Sequence, residues 1–112
     1  MRKKYVGHRK VMNGYILIKD YNHPNRNSQN DVMEHIKIMS EFLKRPIKGG
    51  ELIHHINMVR DDNRLENLYL CVNQGQHAKV HSSIHKLVKE LLERGILIFK
   101  NGEYKLNFSG GD

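Results

Sequence analysis

The chain has 112 residues, is 38% hydrophobic and carries a formal net charge of +7. This length fits one domain with a modest core, and the hydrophobic fraction excludes a chain that is disordered by composition. No apolar run approaches the roughly 20 residues that a membrane-spanning helix needs, so we expect no contact with a membrane. The positive charge favours a polyanionic partner, of which nucleic acid is the commonest.

The N-terminal stretch and the cysteine content bear on the cellular compartment. The stretch MRKKYVGHRK is basic, but no apolar segment of the kind found in secretory signals follows it. Cys71 is the only cysteine, so neither an internal disulfide nor a CxxC zinc motif can form. We therefore expect a reducing, cytoplasmic location, with Cys71 as a small buried apolar residue.

The first half of the chain predicts a hairpin followed by a helix. Two β-prone segments flank Asn13-Gly14, a strong signal for a tight hairpin turn. After a polar loop, apolar residues at helical spacing predict a helix that starts at residue 31. Asn30 or Asp31 is expected to cap this helix, and Pro46 is expected to end it.

The second half predicts the elements of a compact core and then another hairpin. These elements are a short strand, a long polar loop, a return strand, a helix and the hairpin, over residues 51–56, 57–68, 69–72, 74–94 and 96–107. Asn73 and Gln76 resemble a capping box at the start of the helix, and Gly95 stands where a C-terminal glycine belongs. Loops as long as the one in this core are usually functional.

Histidine is concentrated in this core, where five of the eight histidines lie between positions 54 and 85. His77 and His81 are four residues apart, so both side chains project from one face of the predicted helix. Neutral imidazole is a common metal ligand, and HxxxH on a helix can grip one ion. A pair on a solvated helix face explains the spacing equally well. His85 continues the spacing without an apparent partner.

His54 and His55 stand side by side in LIHHIN, although neighbouring side chains of a strand point to opposite faces. If both belong to one site, they lie where the strand turns into the loop. One can then be a metal ligand while the other stays a free base. The alternative is one histidine in the core and one exposed.

The segment ELIHHINMVRDDNRLENLYLCVNQGQHAKVH resembles the core of HNH endonucleases, the ββα-metal nucleases, which have the same order of strand, loop, strand and helix. The stretch upstream, from about residue 13, is similar to small phage-encoded members. The resemblance implies an α+β fold and a single nuclease domain over residues 1–112. Its ββα-metal core covers about 51–94, with an N-terminal hairpin and helix at 5–45 and a C-terminal hairpin at 96–107.

The resemblance also implies a role for particular residues. His54 is a metal ligand, and His55 is the general base that activates water. Asn67 is the central asparagine, which holds the loop and hence His55 through hydrogen bonds. His77 is the second ligand, and His81 is a third ligand or a contact to the scissile phosphate.

These roles imply a metal-dependent endonuclease that hydrolyses DNA phosphodiester bonds. The implied cofactor is one divalent ion, with Mg²⁺, Mn²⁺, Ni²⁺ and Zn²⁺ all open, because histidine-rich sites accept several metals. The implied partner is double-stranded DNA, bound by a monomer or homodimer in the cytoplasm of a bacterial host, with phage packaging proteins as further candidates. Arg60, Arg64 and Lys79 are candidate phosphate contacts, although a solvated charge explains each equally well and Arg64 can instead brace the loop.

Two departures from the family pattern bear on these expectations. The family usually has Gly-Asp after HHIN, whereas this chain has Met58-Val59, so a turn that demands positive φ would be strained. The family usually has Glu-His-Arg in the upstream helix, where this chain has Glu34-His35-Ile36. We expect His35 to be an exposed helix residue, with an approach to the site as the alternative, and we expect His8 and His23 to lie on the surface.

Two other functions remain open from the sequence. The first is a non-catalytic DNA-binding module whose histidines hold a structural metal. A structural site needs no unligated base beside its ligand, so the histidine pair argues against this function. The second is a small RNA-binding protein, which only the positive charge supports. Aromatic residues of the kind that stack on bases are not interleaved with the basic residues.

Overall fold

A computed structural model describes residues 9–108, with side chains from residue 11 onward. Over these residues the fold is α+β, as predicted, with two helices and seven short strands in three small antiparallel sheets. Contacts divide the chain into two compact units, one ending at Gln74 and the other beginning at Gly75. Neither described helix has the length and apolar character needed to cross a membrane.

The predicted N-terminal hairpin is confirmed for the described residues. Strands β1 (Arg9–Met12) and β2 (Tyr15–Lys19) pair antiparallel across a two-residue turn. Asn13 and Gly14 have φ values of +54° and +85°, which a type I′ turn requires at both central positions. Residues 5–8, also assigned to this hairpin by the sequence, lie outside the described part of the chain.

The first helix begins three residues later than predicted. Asp31–Met33 forms strand β3, which pairs antiparallel with β2, and helix α1 runs over Glu34–Leu43. The expected capping by Asn30 or Asp31 is therefore wrong, and α1 has no side-chain hydrogen bond at its N-cap residue. Val32 fits the helical spacing but lies in the strand, where pairing with β2 buries it.

The helix also ends before the predicted terminator, Pro46. Lys44 adopts the left-handed conformation with φ of +59°, and the N–H groups of Lys44 and Arg45 both bond to the Ser40 carbonyl. A proline disfavours helical geometry in the residue before it, so Arg45 cannot continue α1. The left-handed residue turns the chain towards the next strand.

The central part of the chain contains the two predicted strands. Strands β4 (Leu52–His55) and β5 (Leu68–Cys71) form a two-stranded antiparallel sheet, in which β5 begins one residue earlier than predicted. A short 3-10 helix over Leu65–Asn67 leads into β5. Cys71 is fully buried, as expected.

The first unit has a small core in which apolar and polar side chains are both buried. The apolar members come from β2, β3, α1 and β5 and are Ile16, Leu17, Ile18, Val32, Met39, Leu68 and Cys71. The polar members are more numerous: His23, Asp31, Glu34, His35, Ser40, His54, His55, Asn63 and Asn67. Buried polar groups are costly unless they are hydrogen-bonded, so this interior depends on a specific bonding pattern.

His23 belongs to that interior, and the expectation that it lies on the surface is wrong. Its Nδ1 accepts a hydrogen bond from the N–H of Asn25 at 3.0 Å, and its Nε2 lies 2.9 Å from Ser40 Oγ. Because Ser40 Oγ donates to the Lys37 carbonyl, the proton between His23 and Ser40 must come from Nε2. Burial lowers the pKa of His23, and nearby Lys37 adds to this effect. The neutral ring thus ties the loop after β2 to α1.

The second unit contains a long helix and a hairpin, both as predicted. Helix α2 runs over Gln74–Glu93, and strands β6 (Leu97–Lys100) and β7 (Glu103–Leu106) pair antiparallel. Gly95 ends the helix with φ of +72°, and its N–H bonds to the carbonyl of the third residue before it, as in a Schellman motif. No described residue after Cys71 is buried.

Candidate functional site

The loop between β4 and β5 is folded into consecutive tight turns. The N–H of Met58 donates to the carbonyl of His55 at 3.0 Å, and the N–H of Asp62 donates to the carbonyl of Val59 at 3.1 Å. Each bond closes a four-residue turn. The loop therefore has a defined, hydrogen-bonded conformation although it has little regular secondary structure.

Asn67 is the hub of this loop. Its Oδ1 accepts from the N–H of Asn57 at 3.0 Å, and its Nδ2 donates to Asn57 Oδ1 at 2.9 Å and to the Asp62 carbonyl at 2.8 Å. Its own carbonyl accepts from the N–H of Ile56 at 2.9 Å. Asn67 thus bonds to the loop itself, and none of these bonds goes to the ring of His55.

His55 is held by a different asparagine, in a chain of three buried side chains. Its Nε2 lies 2.6 Å from Asn63 Oδ1, and Asn63 Nδ2 donates to Glu34 Oε1 at 2.8 Å. Glu34 Oε1 is the acceptor in this bond, so it fixes which end of the Asn63 amide faces His55. The amide oxygen in turn requires a proton on His55 Nε2. The lone pair of the neutral ring therefore lies on Nδ1.

Asn63 and Glu34 are site residues that the sequence did not single out. Each is only 1% exposed. Asn63 stands in NRLENL, and Glu34 precedes the histidine of Glu34-His35-Ile36, so both lie in segments that carry the family resemblance. Their positions in the sequence give no sign that they contact each other, since 29 residues separate them.

His35 packs against His55, and the expectation that it is exposed is wrong. It is 7% exposed, its ring centroid lies 4.9 Å from that of His55 in an edge-on arrangement, and Tyr15 lies on another side at 5.5 Å. Its Nδ1 is buried without a hydrogen-bond partner. Burial, together with the nearby His55, lowers the pKa of His35 to about 4. At neutral pH the ring beside His55 is therefore uncharged.

His54 and His55 are both buried. His54 lies opposite Tyr69 in the register of β4 and β5, and His55 lies opposite Leu68 at the end of β4. The alternative of one core histidine and one exposed histidine is therefore wrong. Strand β4 ends at His55, as expected if one histidine of the pair is a metal ligand and the other a free base.

His77 and His81 lie together on α2. Their Nε2 atoms are 3.1 Å apart, and the two rings meet edge to face. Two imidazole nitrogens that each lie about 2.0–2.1 Å from one zinc ion are separated by about 3 Å, so this pair is spaced as two ligands of a single ion. His85 and Lys79 are exposed on the same helix.

The two candidate phosphate-binding arginines of the loop already have partners within the protein. The Arg60 guanidinium lies 5.0 Å from the centre of the Tyr15 ring and donates to the Asn13 carbonyl at 2.8 Å. Arg64 makes two hydrogen bonds of 2.8 Å to Asp62, and these bonds hold the pKa of that carboxyl well below its usual range. Arg60 thus links the loop to the first hairpin, and Arg64 braces the loop.

The turn after HHIN does demand a positive φ. Met58 has a φ of +65°, a conformation that costs a residue with a Cβ atom about 1–2 kcal/mol. The departure from the family's glycine therefore introduces strain at this position. His55, at the end of β4, nevertheless has a defined orientation, because its Nε2 is bonded to Asn63.

The part of the chain that carries most of these residues matches a known protein family. Residues 44–78 match the family model described as HNH endonuclease. This range includes His54, His55, Asn67 and His77, and it stops short of His81. No curated protein and no solved structure matches the chain.

The burial of His35 predicts a loss of stability in acid. Its pKa is about 4 in the folded protein, below the ordinary 6.5, so the unfolded chain binds more protons between these values. The contribution of the neutral His35 ring to the free energy of unfolding is complete above pH 6.5. It falls by about 3 kcal/mol as the pH drops to 4. Urea unfolding of metal-free protein at pH 7.5 and 4.5 should show a smaller acid loss for His35→Phe than for the wild type. The exposed-site variant His85→Phe should lose as much as the wild type, and equal losses in all three proteins would contradict the prediction.

Proposed function

We propose that this chain, which belongs to the HNH endonuclease family, hydrolyses DNA phosphodiester bonds with one divalent metal ion and His55 as the general base. The supporting observation is the buried chain of hydrogen bonds from Glu34 through Asn63 to His55. A general base needs a fixed ring whose lone pair is available on a known nitrogen. The fixed ring of His55 supports this assignment.

In the proposed reaction, His55 Nδ1 takes a proton from the attacking water. Positioned general bases of this kind contribute about 10²–10⁴-fold to the rate. The resulting imidazolium keeps its Nε2–H on the Asn63 amide oxygen, and the Glu34 carboxylate behind that amide stabilises the positive charge. The neutral His35 ring adds no competing charge beside it.

We assign the metal to His54, His77 and His81. The family resemblance implies these three ligands, and each offers one ring nitrogen. Three protein ligands leave further positions open, which is the arrangement of catalytic rather than structural zinc sites. The bound ion would stabilise negative charge on the phosphate and on the leaving oxygen. Imidazole ligands suit several divalent metals, so the donor set alone does not select one.

We further propose that β4, the loop, β5 and α2 form a ββα-metal core, which their order along the chain supports. The family implies a DNA substrate, and the net charge of +7 suits double-stranded DNA. Phosphate contacts by Arg60, Arg64 and Lys79 are part of this proposal. A monomer or homodimer, phage packaging partners and a cytoplasmic location stay predictions from the sequence.

Plasmid cleavage tests the proposed activity. Chelator-treated protein is mixed with supercoiled DNA and, separately, with Mg²⁺, Mn²⁺, Ni²⁺ or Zn²⁺. We expect nicked or linear product with at least one ion, and a rate lower by about 10²–10⁴-fold for His55→Ala because the base is lost. His85→Ala, on the exposed part of α2, should cut at the wild-type rate. DNA binding without cutting by the wild type would leave the non-catalytic module as the function, and equal cutting by His55→Ala would refute the assigned base.

Metal binding tests the ligand set without any cleavage. Calorimetric titration of the chelator-treated wild type with Ni²⁺ or Zn²⁺ should show one ion per chain. Single alanine variants of His54, His77 and His81 should each bind at least about tenfold more weakly, because each removes a ligand. His85→Ala is the matched control, with unchanged affinity expected. If His54→Ala binds as tightly as the wild type, the ion is held by the helix pair alone.

A substitution of Asn63 tests whether the ring of His55 must be held. Asn63→Ala removes the acceptor for His55 Nε2–H, and we expect the cleavage rate to fall by about 10–10²-fold. The affinity for DNA, measured by fluorescence anisotropy in EDTA, should stay unchanged because Asn63 is buried away from solvent. Asn22→Ala, at an exposed loop asparagine, serves as the control. A parallel loss of affinity and rate would indicate a general disruption of the fold instead.

A further inference from the structure

We propose that Ile56, Met58 and Val59, here called the apolar turn, insert against the bases of bound DNA next to the phosphate that is cut. This inference rests on the proposed nuclease function and adds a distortion of the duplex and a preference for deformable sequence. The three side chains follow directly after His55, the proposed base. Their exposed fractions are 54%, 59% and 47%.

The clustering of these side chains is the first argument. Single exposed apolar residues are ordinary on protein surfaces, whereas a contiguous group marks an interaction site. The apolar turn places three of them within four consecutive residues of a loop whose other apolar residue is Leu65. None of the three belongs to the buried core of the described residues of the first unit.

The strained backbone of Met58 is the second argument. Glycine would adopt its φ of +65° without cost, whereas methionine does so only because the surrounding bonds hold it. The N–H of Met58 is bonded to the His55 carbonyl, and the N–H of Val59 donates to Asn57 Oδ1 at 2.9 Å. Asn57 is itself fixed by Asn67. The loop is therefore strained at Met58, and the side chain at this strained position is exposed to solvent.

The rigidity of the loop suits a wedge, meaning a set of side chains that inserts between the bases of a duplex. Because the hydrogen bonds of Asn57 and Asn67 already order the backbone, the apolar turn can contact a ligand without first losing conformational freedom. Methionine and isoleucine are among the side chains that enter between base steps, unstack them and kink the duplex. A kink beside His55 would present the phosphate at that step to the proposed base.

The position of the apolar turn directly after the proposed base identifies DNA as the occupant, and the net charge of +7 agrees with a polyanionic partner. Arg60 and Arg64 follow in the same loop, but Asp61, Asp62 and Glu66 offset their charge there. The cost of unstacking is smallest at flexible pyrimidine–purine steps such as TA and CA. We therefore expect cuts of the wild-type enzyme to be concentrated beside such steps.

Met58→Gly is the decisive variant, because folding and DNA cleavage should respond to it in opposite directions. Relief of the positive φ should raise the urea midpoint of unfolding, while loss of the side chain should slow cleavage by about tenfold and flatten the preference for flexible steps. Met58→Ala, which keeps the strained backbone, should slow cleavage without raising the midpoint. Met12→Ala, at another exposed methionine of the first unit, should leave the rate unchanged.

A second measurement detects the wedge without cutting. A duplex with 2-aminopurine at a TA step is mixed with the inactive His55→Ala protein and the metal that supports cleavage. Fluorescence should rise as the step unstacks, and this rise should be absent when Met58→Gly is added to the same protein. No rise with His55→Ala, or the same rise with the double variant, would overturn the inference.

The outcomes separate this inference from the proposed function. If the wild type fails to cut DNA but the aminopurine signal depends on Met58, the nuclease function fails and the wedge stands. If the wild type cuts and Met58→Gly cuts the same sites at the same rate, the wedge alone fails. If Met58→Gly instead changes the mass of the protein in light scattering and leaves both DNA measurements unaltered, the apolar turn joins two copies of the chain and the inference is wrong.

Discussion

The hydrogen bond between His55 Nε2 and Asn63 Oδ1 is the constraint on which the candidate site depends. It has a defined direction only because Asn63 also donates to the carboxylate of Glu34. Glu34 is the first residue of α1, so its position follows from the place where that helix begins. Pairing of β3 with β2 sets this start, and the first small sheet thereby determines which nitrogen of a distant histidine carries the lone pair.

The loop shows how a polar network can hold an unfavourable local conformation. The side chain of Asn67 bonds to Asn57 and to the Asp62 carbonyl, and Arg64 makes two bonds to Asp62. Together these bonds outweigh the strain of a methionine at positive φ. The same network orients the end of β4, so it serves both the proposed base and the exposed apolar side chains.

The two units differ in how they position their histidines. In the first, His54, His55 and His35 are buried, and tertiary contacts decide their orientation and, for His35, its pKa. In the second, the geometry of a helix alone brings His77 and His81 together, because residues four apart share a face. A pair defined in this way needs no core beneath it, which agrees with the absence of buried residues after Cys71 in the described part of the chain.

The sequence by itself determined what short-range geometry controls. The Asn-Gly turn at 13–14, the extent of α2 and its end at Gly95 could all be predicted, because they depend on the backbone preferences of a few adjacent residues. Only the tertiary structure decided the start of α1, the burial of His35 and the contact of Asn63 with His55. Each of these depends on partners far away in the chain, such as β2 for β3 and Glu34 for Asn63. Spacing along the sequence does not reveal such partners, because burial and hydrogen bonding are settled by which elements pack together.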